Sequence, residues 1–384
     1  MDVREDIKQL ENEICLMRRE LHQIPETGFN TKKTLDYIVD KLTTFGYDTF
    51  DFSLAKNSVV VQLKVNDAPT SIGFRSDMDA LPLKEETNRS FASTSENSHA
   101  CGHDGHMAAL LGLCKYVMEH KEHIKKNITF IFQPAEEGPG GAKVMIENGL
   151  FTTYPMECIF GVHMMGEVDE GIIACRPGPM MARNGELFVD ITGKGTHGAT
   201  PHLGSDTIVA GSAFVSALQS ISSRNINPLH SSVVTIGTFH AGSAENIVAE
   251  TCKMKGTIRA FQDDTYELIK NRIQEIAEGI AKSYQVNIDA RVVDYYFVVD
   301  NDKKLYQLLD TVLKDELLEI DPKMVAEDFS FYQRQVPGLF YYVGTRSKTY
   351  DQNLHSAKYD FDEKVLLHVI ETNVRLLEGM DAYD

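Results

Sequence analysis

The chain has 384 residues, 42% of them hydrophobic and 24% charged, with a formal net charge of −18. That length suits two domains, and that acidity repels phosphate backbones and excludes nucleic acid as a partner. No run of about 18 apolar residues offers a membrane span, and the six scattered cysteines form no disulfide framework.

The start of the chain is charged and lacks the apolar core of a signal peptide, so a reducing cytoplasm is the expected location. Helical spacing of Leu10, Ile14, Met17 and Leu21 predicts a helix over residues 7–22, and a second helix is expected over 32–45. Strand-like runs follow at 58–63, 71–74, 127–132 and 157–162. The last three are mostly apolar rather than alternating, as in strands buried on both faces. Helices are expected between them, near 107–120 and 141–148. This βαβ alternation predicts an α/β layer.

The pattern changes near residue 180. A half-buried strand at 186–191 precedes a helix at 206–223, strands at 232–240 and 251–261, a helix at 265–284 and a strand at 286–293. The order β-α-β-β-α-β is that of the split-βαβ, ferredoxin-like α+β arrangement. A helix over 303–319, a buried strand at 339–343 and a last helix over 363–378 then resume the first pattern. The expected fold is therefore α/β with two domains. Residues 1–180 and 296–384 form a catalytic domain, and 181–295 form an inserted lid or dimerisation domain.

The chemistry-bearing residues cluster where strands end. Phe74-Arg75-Ser76-Asp77-Met78-Asp79 closes the second strand, Gln133-Pro134-Ala135-Glu136-Glu137-Gly138 the third, and Gly161-Val162-His163 the fourth. His99-Ala100-Cys101-Gly102-His103 precedes a helix. Ligands of open α/β sheets bind at the carboxyl ends of the strands, so these positions are expected to converge. Thiolate, imidazole and carboxylate together suit divalent transition metals: zinc, manganese, cobalt or nickel. Glu136 and Glu137 are adjacent at a strand exit, so one is free to bind metal while the other takes a proton from water.

On these segments the chain resembles the M20 metallopeptidase family, in its amidohydrolase branch of hippurate, auxin-conjugate and N-acyl-amino-acid hydrolases and N-acetyldiaminopimelate deacetylases. The likeness runs from Arg18-Arg19-Glu20-Leu21-His22 to Asn353-Leu354-His355-Ser356, nearly the whole chain. It implies two divalent metal ions held by Cys101, His103, Glu137, His163 and His355, with Cys101 where other branches have a bridging aspartate. It implies Glu136 as general base and Asp77 as the aspartate that orients a ligand. Arg75 stands where those branches have a metal-binding histidine, which leaves the role of Asp77 open. Gly195-Thr196-His197-Gly198 matches the segment whose histidine polarises the substrate carbonyl, often in the neighbouring subunit. Asn246 and Arg259 match positions that hold the substrate carboxylate or the oxyanion. Ser356 departs from the His or Thr common after the last metal histidine, which bears on substrate fit.

The implied function is a metal-dependent amidohydrolase of small N-acyl amino acids. An acetylated one comes first, because residues 133–141 resemble the deacetylases. The implied assembly is a homodimer or homotetramer through the inserted domain. A dipeptidase or aminopeptidase of the same family, and a non-catalytic oligomeric binder on a hydrolase scaffold, are the competing readings. Single residues also have plainer explanations. His99 and His106 read as supporting residues. Arg259 could pair with a surface acid. The pair Glu327-Asp328 could either shape a pocket or cap a helix.

Overall fold

The structure is a computed structural model that describes residues 1–138 and 140–384. Pro139, in the glycine-rich turn expected after Glu137, lies outside the described residues. The chain divides into two compact units. One comprises Met1–Gly178, Asp300–Asp321 and Asp328–Asp384, the other Pro179–Val299 and Pro322–Glu327.

The first unit is built on a seven-stranded sheet. Across it the strands run Val59–Leu63, Asn127–Gln133, Ser71–Asp77, Met156–Asp169, Gly338–Arg346, Ile173–Cys175 and Leu317–Glu319. The four from Asn127–Gln133 to Gly338–Arg346 pair in parallel. They are apolar on both faces because helices cover both, which is why their sequences run without alternation. Parallel register brings the strand ends to one edge: Asp77 pairs with Gln133, and Tyr342 with His163. The helix His103–Glu119 follows a glycine turn and is buried along nearly its whole length. Gly102 has φ +85°, and a Cβ there would sit 3.1 Å from the Met164 side chain, so the sharp turn between Cys101 and His103 requires glycine.

Three expected elements differ. The opening helix is interrupted into Glu5–Lys8 and Glu11–His22. The helix expected over 303–319 stops at Leu313, where Lys314 turns left-handed (φ 55°) and releases Leu317–Glu319 to pair with Ile173–Cys175. The fourth strand continues to Asp169, because Gly338–Arg346 gives its backbone a partner along its length.

In the second unit an antiparallel sheet has the order Asn287–Asp294, Arg183–Thr192, Thr251–Ala260 and Ser232–Ala241, with helices Thr207–Ser220 and Asp263–Tyr284. Leu187, Val189, Ile191, Met254 and Ile258 pack against Phe214, Leu218, Ile269 and Ile273. This is the β-α-β-β-α-β order read from the periodicity. Residues 322–327, expected to belong with the outer segments, cluster with this unit instead. The Lys323 amide donates to the Met180 carbonyl at 2.8 Å and the Ala182 amide to the Val325 carbonyl at 2.9 Å. Among the described residues no helix is long and apolar enough to cross a membrane.

Candidate metal centre

The sheet edge of the first unit gathers the expected ligands. Donor atoms of Cys101, His103 and His163 lie within 4.8 Å of one another, and so do those of Cys101, Glu137 and His355. The two groups share the Cys101 sulfur. Cys101 Sγ is 3.5 Å from His163 Nε2, and Glu137 Oε1 is 3.4 Å from His355 Nε2 and 3.9 Å from His103 Nε2. A third group joins Glu136 to His103 and Glu137. All of these are buried or half-buried except His355, which is 56% exposed, sits at φ 62° and is anchored by its amide to the Ala100 carbonyl.

The tautomers are set by the backbone. His103 Nδ1 is 2.7 Å from the Asp79 carbonyl and His163 Nδ1 is 2.7 Å from the Met164 carbonyl. A carbonyl only accepts, so each Nδ1 carries the proton and each Nε2 keeps a lone pair. Those two Nε2 atoms face the shared thiol and carboxylate, and among the described residues His103 Nε2 has no hydrogen-bond partner although fully buried. Burial holds His103 below its usual pKa and His163 down to about 3, so both are neutral imidazoles, the form that binds metal. Burial and the charges of Glu137 and Glu136 push the Cys101 thiol well up, so its thiolate requires added positive charge. Neutral imidazoles with inward lone pairs, an orphaned Nε2 and an acidic buried surround together fit a pair of divalent cations.

His106 is closed to such a role. Its Nε2 accepts the Met164 amide at 3.0 Å, so its Nδ1 carries the proton donated to Asp77 Oδ1 at 2.7 Å. Asp77 is fully buried. Its other oxygen accepts from Arg75 Nη1 at 2.9 Å and lies 3.7 Å from His103 Nε2. Against the cost of burial, its interactions with His103, His106 and the Arg75 guanidinium, among them the His106 hydrogen bond, hold its carboxyl well below the usual range. Arg75 also donates to Gln133 and to Asp328, at 2.9 and 2.7 Å.

Asp328, left open in the sequence between pocket wall and helix cap, is committed to this network. It accepts from Arg75, from Gln133 Nε2 and from the Ala142 amide. Two supports were invisible in the sequence. Asp79 accepts the amides of both Glu136 and Glu137. The Arg18 guanidinium, 1% exposed, meets Asp104, Asp360 and Glu363, and its carbon lies 4.2 Å from the centre of the Phe361 ring. His22 bridges Asp104 and Glu85 at 2.8 and 3.0 Å. Arg18 and Asp104 both adjoin quoted motifs, but a distance of 86 residues hid the pairing.

The remaining candidates lie in the second unit. His197 and Asn246 are brought together, since Ile247 pairs with His197 and the Gly198 amide donates to the Asn246 carbonyl at 2.7 Å. His197 Nδ1 accepts the Ala199 amide at 3.0 Å, leaving an Nε2–H donor on an exposed ring. Arg259 is half-buried on Thr251–Ala260 and, among the described residues, no acid pairs with it.

A cluster of neutral imidazoles, a thiol and carboxylates at the carboxyl edge of an α/β sheet defines a metal-dependent hydrolase. The model of the peptidase family M20/M25/M40 matches residues 73–379, and the chain belongs to that family. It is an enzyme that hydrolyses amide bonds. Curated relatives named N-acetyldiaminopimelate deacetylase share 37% identity in Listeria monocytogenes, over 96% of this chain and 99% of the relative, and 38% in Priestia megaterium, over 91% and 93%. A solved structure from methicillin resistant Staphylococcus aureus has 32% identity and a TM-score of 0.92, covering 98% of both chains. The Bacillus subtilis YXEP protein, described as a dinuclear metal binding peptidase from the M20 family, has 29% identity and a TM-score of 0.84, over 96% of this chain and 98% of that one.

Proposed function

We propose that the protein is an N-acyl-amino-acid amidohydrolase that removes an acetyl group with metal-activated water and Glu136 as general base. The observation that carries this reading is the shared Cys101 sulfur, which belongs to a triad with His103 and His163 and to one with Glu137 and His355, with Glu136 beside them. These five residues would hold two divalent transition metals, zinc, manganese, cobalt or nickel. Such ions supply a polarised carbonyl and an acidified water near neutral pH. Glu136 takes a proton from that water and returns it to the departing amine. Asp77 keeps His106 in place beside the ligands. His197, through its Nε2–H, donates to the oxygen that gains charge, and Asn246 and Arg259 hold the substrate carboxylate. The roles of these last three rest on motif resemblance, on the free donor of His197 and on the unpaired guanidinium of Arg259.

The name of the relatives makes N-acetyldiaminopimelate the first substrate to test. A homodimer or homotetramer through the inserted unit is part of the proposal, as is a cytoplasmic location. In support of self-association, the outer strand Ser232–Ala241 has a single neighbour in its sheet, and Ile208, Val209 and Phe239 are exposed large apolar residues.

The test is a metal-loaded assay over acetyl, benzoyl, indoleacetyl and succinyl amino acids, with simple dipeptides alongside. Acetyl substrates are expected to be cut fastest. Preference for dipeptides would replace deacylase by peptidase, and no cleavage with any of the four metals would end the hydrolase mechanism. Glu136→Gln is expected to keep its metal and lose about 10²–10⁴-fold in kcat.

A further inference from the structure

Glu136 and Glu137 are consecutive residues given different tasks, and something must hold their backbone so that both side chains serve. Ala135 before them lies at φ 62°, a left-handed conformation that a residue with a Cβ adopts at some cost. Its carbonyl accepts the amides of Gly140 and Gly141, at 3.2 and 3.1 Å, which closes the turn from one side. From the other side, the Glu136 and Glu137 amides converge on a single carboxylate, Asp79. Oδ1 accepts from Glu136 at 2.9 Å and Oδ2 from Glu137 at 3.2 Å. Two successive amides pointing at one carboxyl group form a backbone nest, and the Asp79 side chain fills it.

Asp79 reaches further. Its own carbonyl receives the Nδ1–H of His103, so one residue fixes a ligand imidazole through its backbone and two carboxylate residues through its side chain. It is buried and lies two residues past the end of the strand Ser71–Asp77. The next amide, that of Ala80, donates to the Glu26 carbonyl at 2.8 Å, so the segment is anchored independently of the site. The plain alternative is that Asp79 merely satisfies two loop amides. The amides themselves argue otherwise, because the two that Asp79 takes are those of Glu136 and Glu137.

We infer that Asp79 is the positioning residue for Glu136, aiming its carboxylate by gripping its amide. The inference rests on the reading of Glu136 as general base. In Asp79→Asn the carboxamide accepts one N–H and turns its own N–H₂ toward the other, so the grip is lost with little change in volume. With metal saturating and its stoichiometry measured, Asp79→Asn is expected to lose about 10–100-fold in kcat, the usual cost of removing an outer partner, with KM within about twofold. In a Glu136→Gln background the same substitution is expected to add less than about twofold, because its effect passes through Glu136. A merely structural role would multiply the two losses. Asp79→Glu keeps the carboxyl group but shifts it by one methylene. It is expected to show the same kcat loss, and it serves as the test if Asp79→Asn does not fold.

Wild-type kcat in either folded variant, multiplied losses in the double variant, or failure of both variants to fold would overturn the inference. Wild-type kcat in Glu136→Gln alone would instead overturn the base assignment, and so the two failures are distinguishable.

Discussion

The residues proposed to act in the two units are held in opposite ways. In the first unit three of the side chains are fixed by buried partners: His103 by the Asp79 carbonyl, His163 by the Met164 carbonyl, Asp77 by Arg75 and His106. In the second, His197 and Asn246 are exposed and are tied to each other only through the backbone of a two-residue pairing. The contrast separates two demands. A metal ligand must present one tautomer in a dry site, so its outer partners matter as much as the ligand itself. A group that meets a substrate arriving from solvent needs only a free donor on a well-placed loop.

The largest effect is expected where the buried arrangement hinges on one atom. Cys101→Ala removes the sulfur common to both triads. It should lower metal affinity and activity by more than about 100-fold, beyond the range seen for outer partners. Metal analysis after dialysis, with activity on an acetyl amino acid, checks this. A variant that keeps two metals and full activity would break the claim that the sulfur is shared.

Next comes Arg18, which makes no contact with a candidate ligand. Its guanidinium meets Asp104, Asp360 and Glu363, and Asp104 follows His103 directly. Arg18→Met takes the central charge from that buried network, leaving Asp104 to His22, Asp360 to Arg89 and Glu363 to Arg19, and breaking a buried pair typically costs about 3–5 kcal/mol. Denaturant unfolding measures it, and a loss below about 1 kcal/mol would show that the network is not holding the ligand loop.

The same contrast explains what the sequence revealed. The strands and the β-α-β-β-α-β order were legible because burial on two faces, or on one, leaves a pattern in the residues themselves. Cys101, His103 and Glu137 were legible as candidates because they stand at a strand exit or beside a glycine turn, and His163 because it follows an apolar run, whereas the full proposed set, with His355, came from the family resemblance. Asp79, Arg18 and Asp328 were not, because their partners lie 57, 86 and 253 residues away and no local pattern records such pairings. The break at Lys314 was missed for a related reason. Residues 303–319 keep helical spacing, and only the need of Ile173–Cys175 for a neighbour turns the end into a strand.

His22 offers a pH test of the buried side. Its burial disfavours the charged ring, but the Asp104 charge and the hydrogen bonds to Asp104 and Glu85 overcome this and raise its pKa to about 9. Arg18 opposes the shift, as its positive charge is near. A raised folded pKa means that the charged ring stabilises the fold fully below about 6.5, and that this contribution fades as pH rises toward 9. The contribution is at most about 3 kcal/mol at low pH. The stability gap between wild type and His22→Gln should therefore be widest near pH 6 and close by pH 9.5, as read by thermal unfolding across that range. A gap that is constant with pH would mean that His22 is neutral in the fold.

The smallest effect belongs to the second unit, where two arginines of one sheet make a controlled pair. Arg183 donates to Asp263 and Glu267, at 3.0 and 2.7 Å, and lies over the Tyr266 ring. Among the described residues Arg259 has no such acid, and burial acts on its charge. If Arg259 awaits a substrate carboxylate, Arg259→Met should raise KM by about 10-fold, near the lower end of the 1.5–3 kcal/mol for a hydrogen bond to a charged group. Its kcat should stay within about twofold, and the fold should be no less stable, because a guanidinium without a partner contributes little to it. Arg183→Met should do the reverse, lowering the unfolding temperature and leaving KM alone, because its charge is already satisfied within the fold. Steady-state kinetics and thermal unfolding of the two variants decide the matter. Equal effects on KM would mean that the absence of a partner acid does not mark a substrate-binding arginine in this sheet.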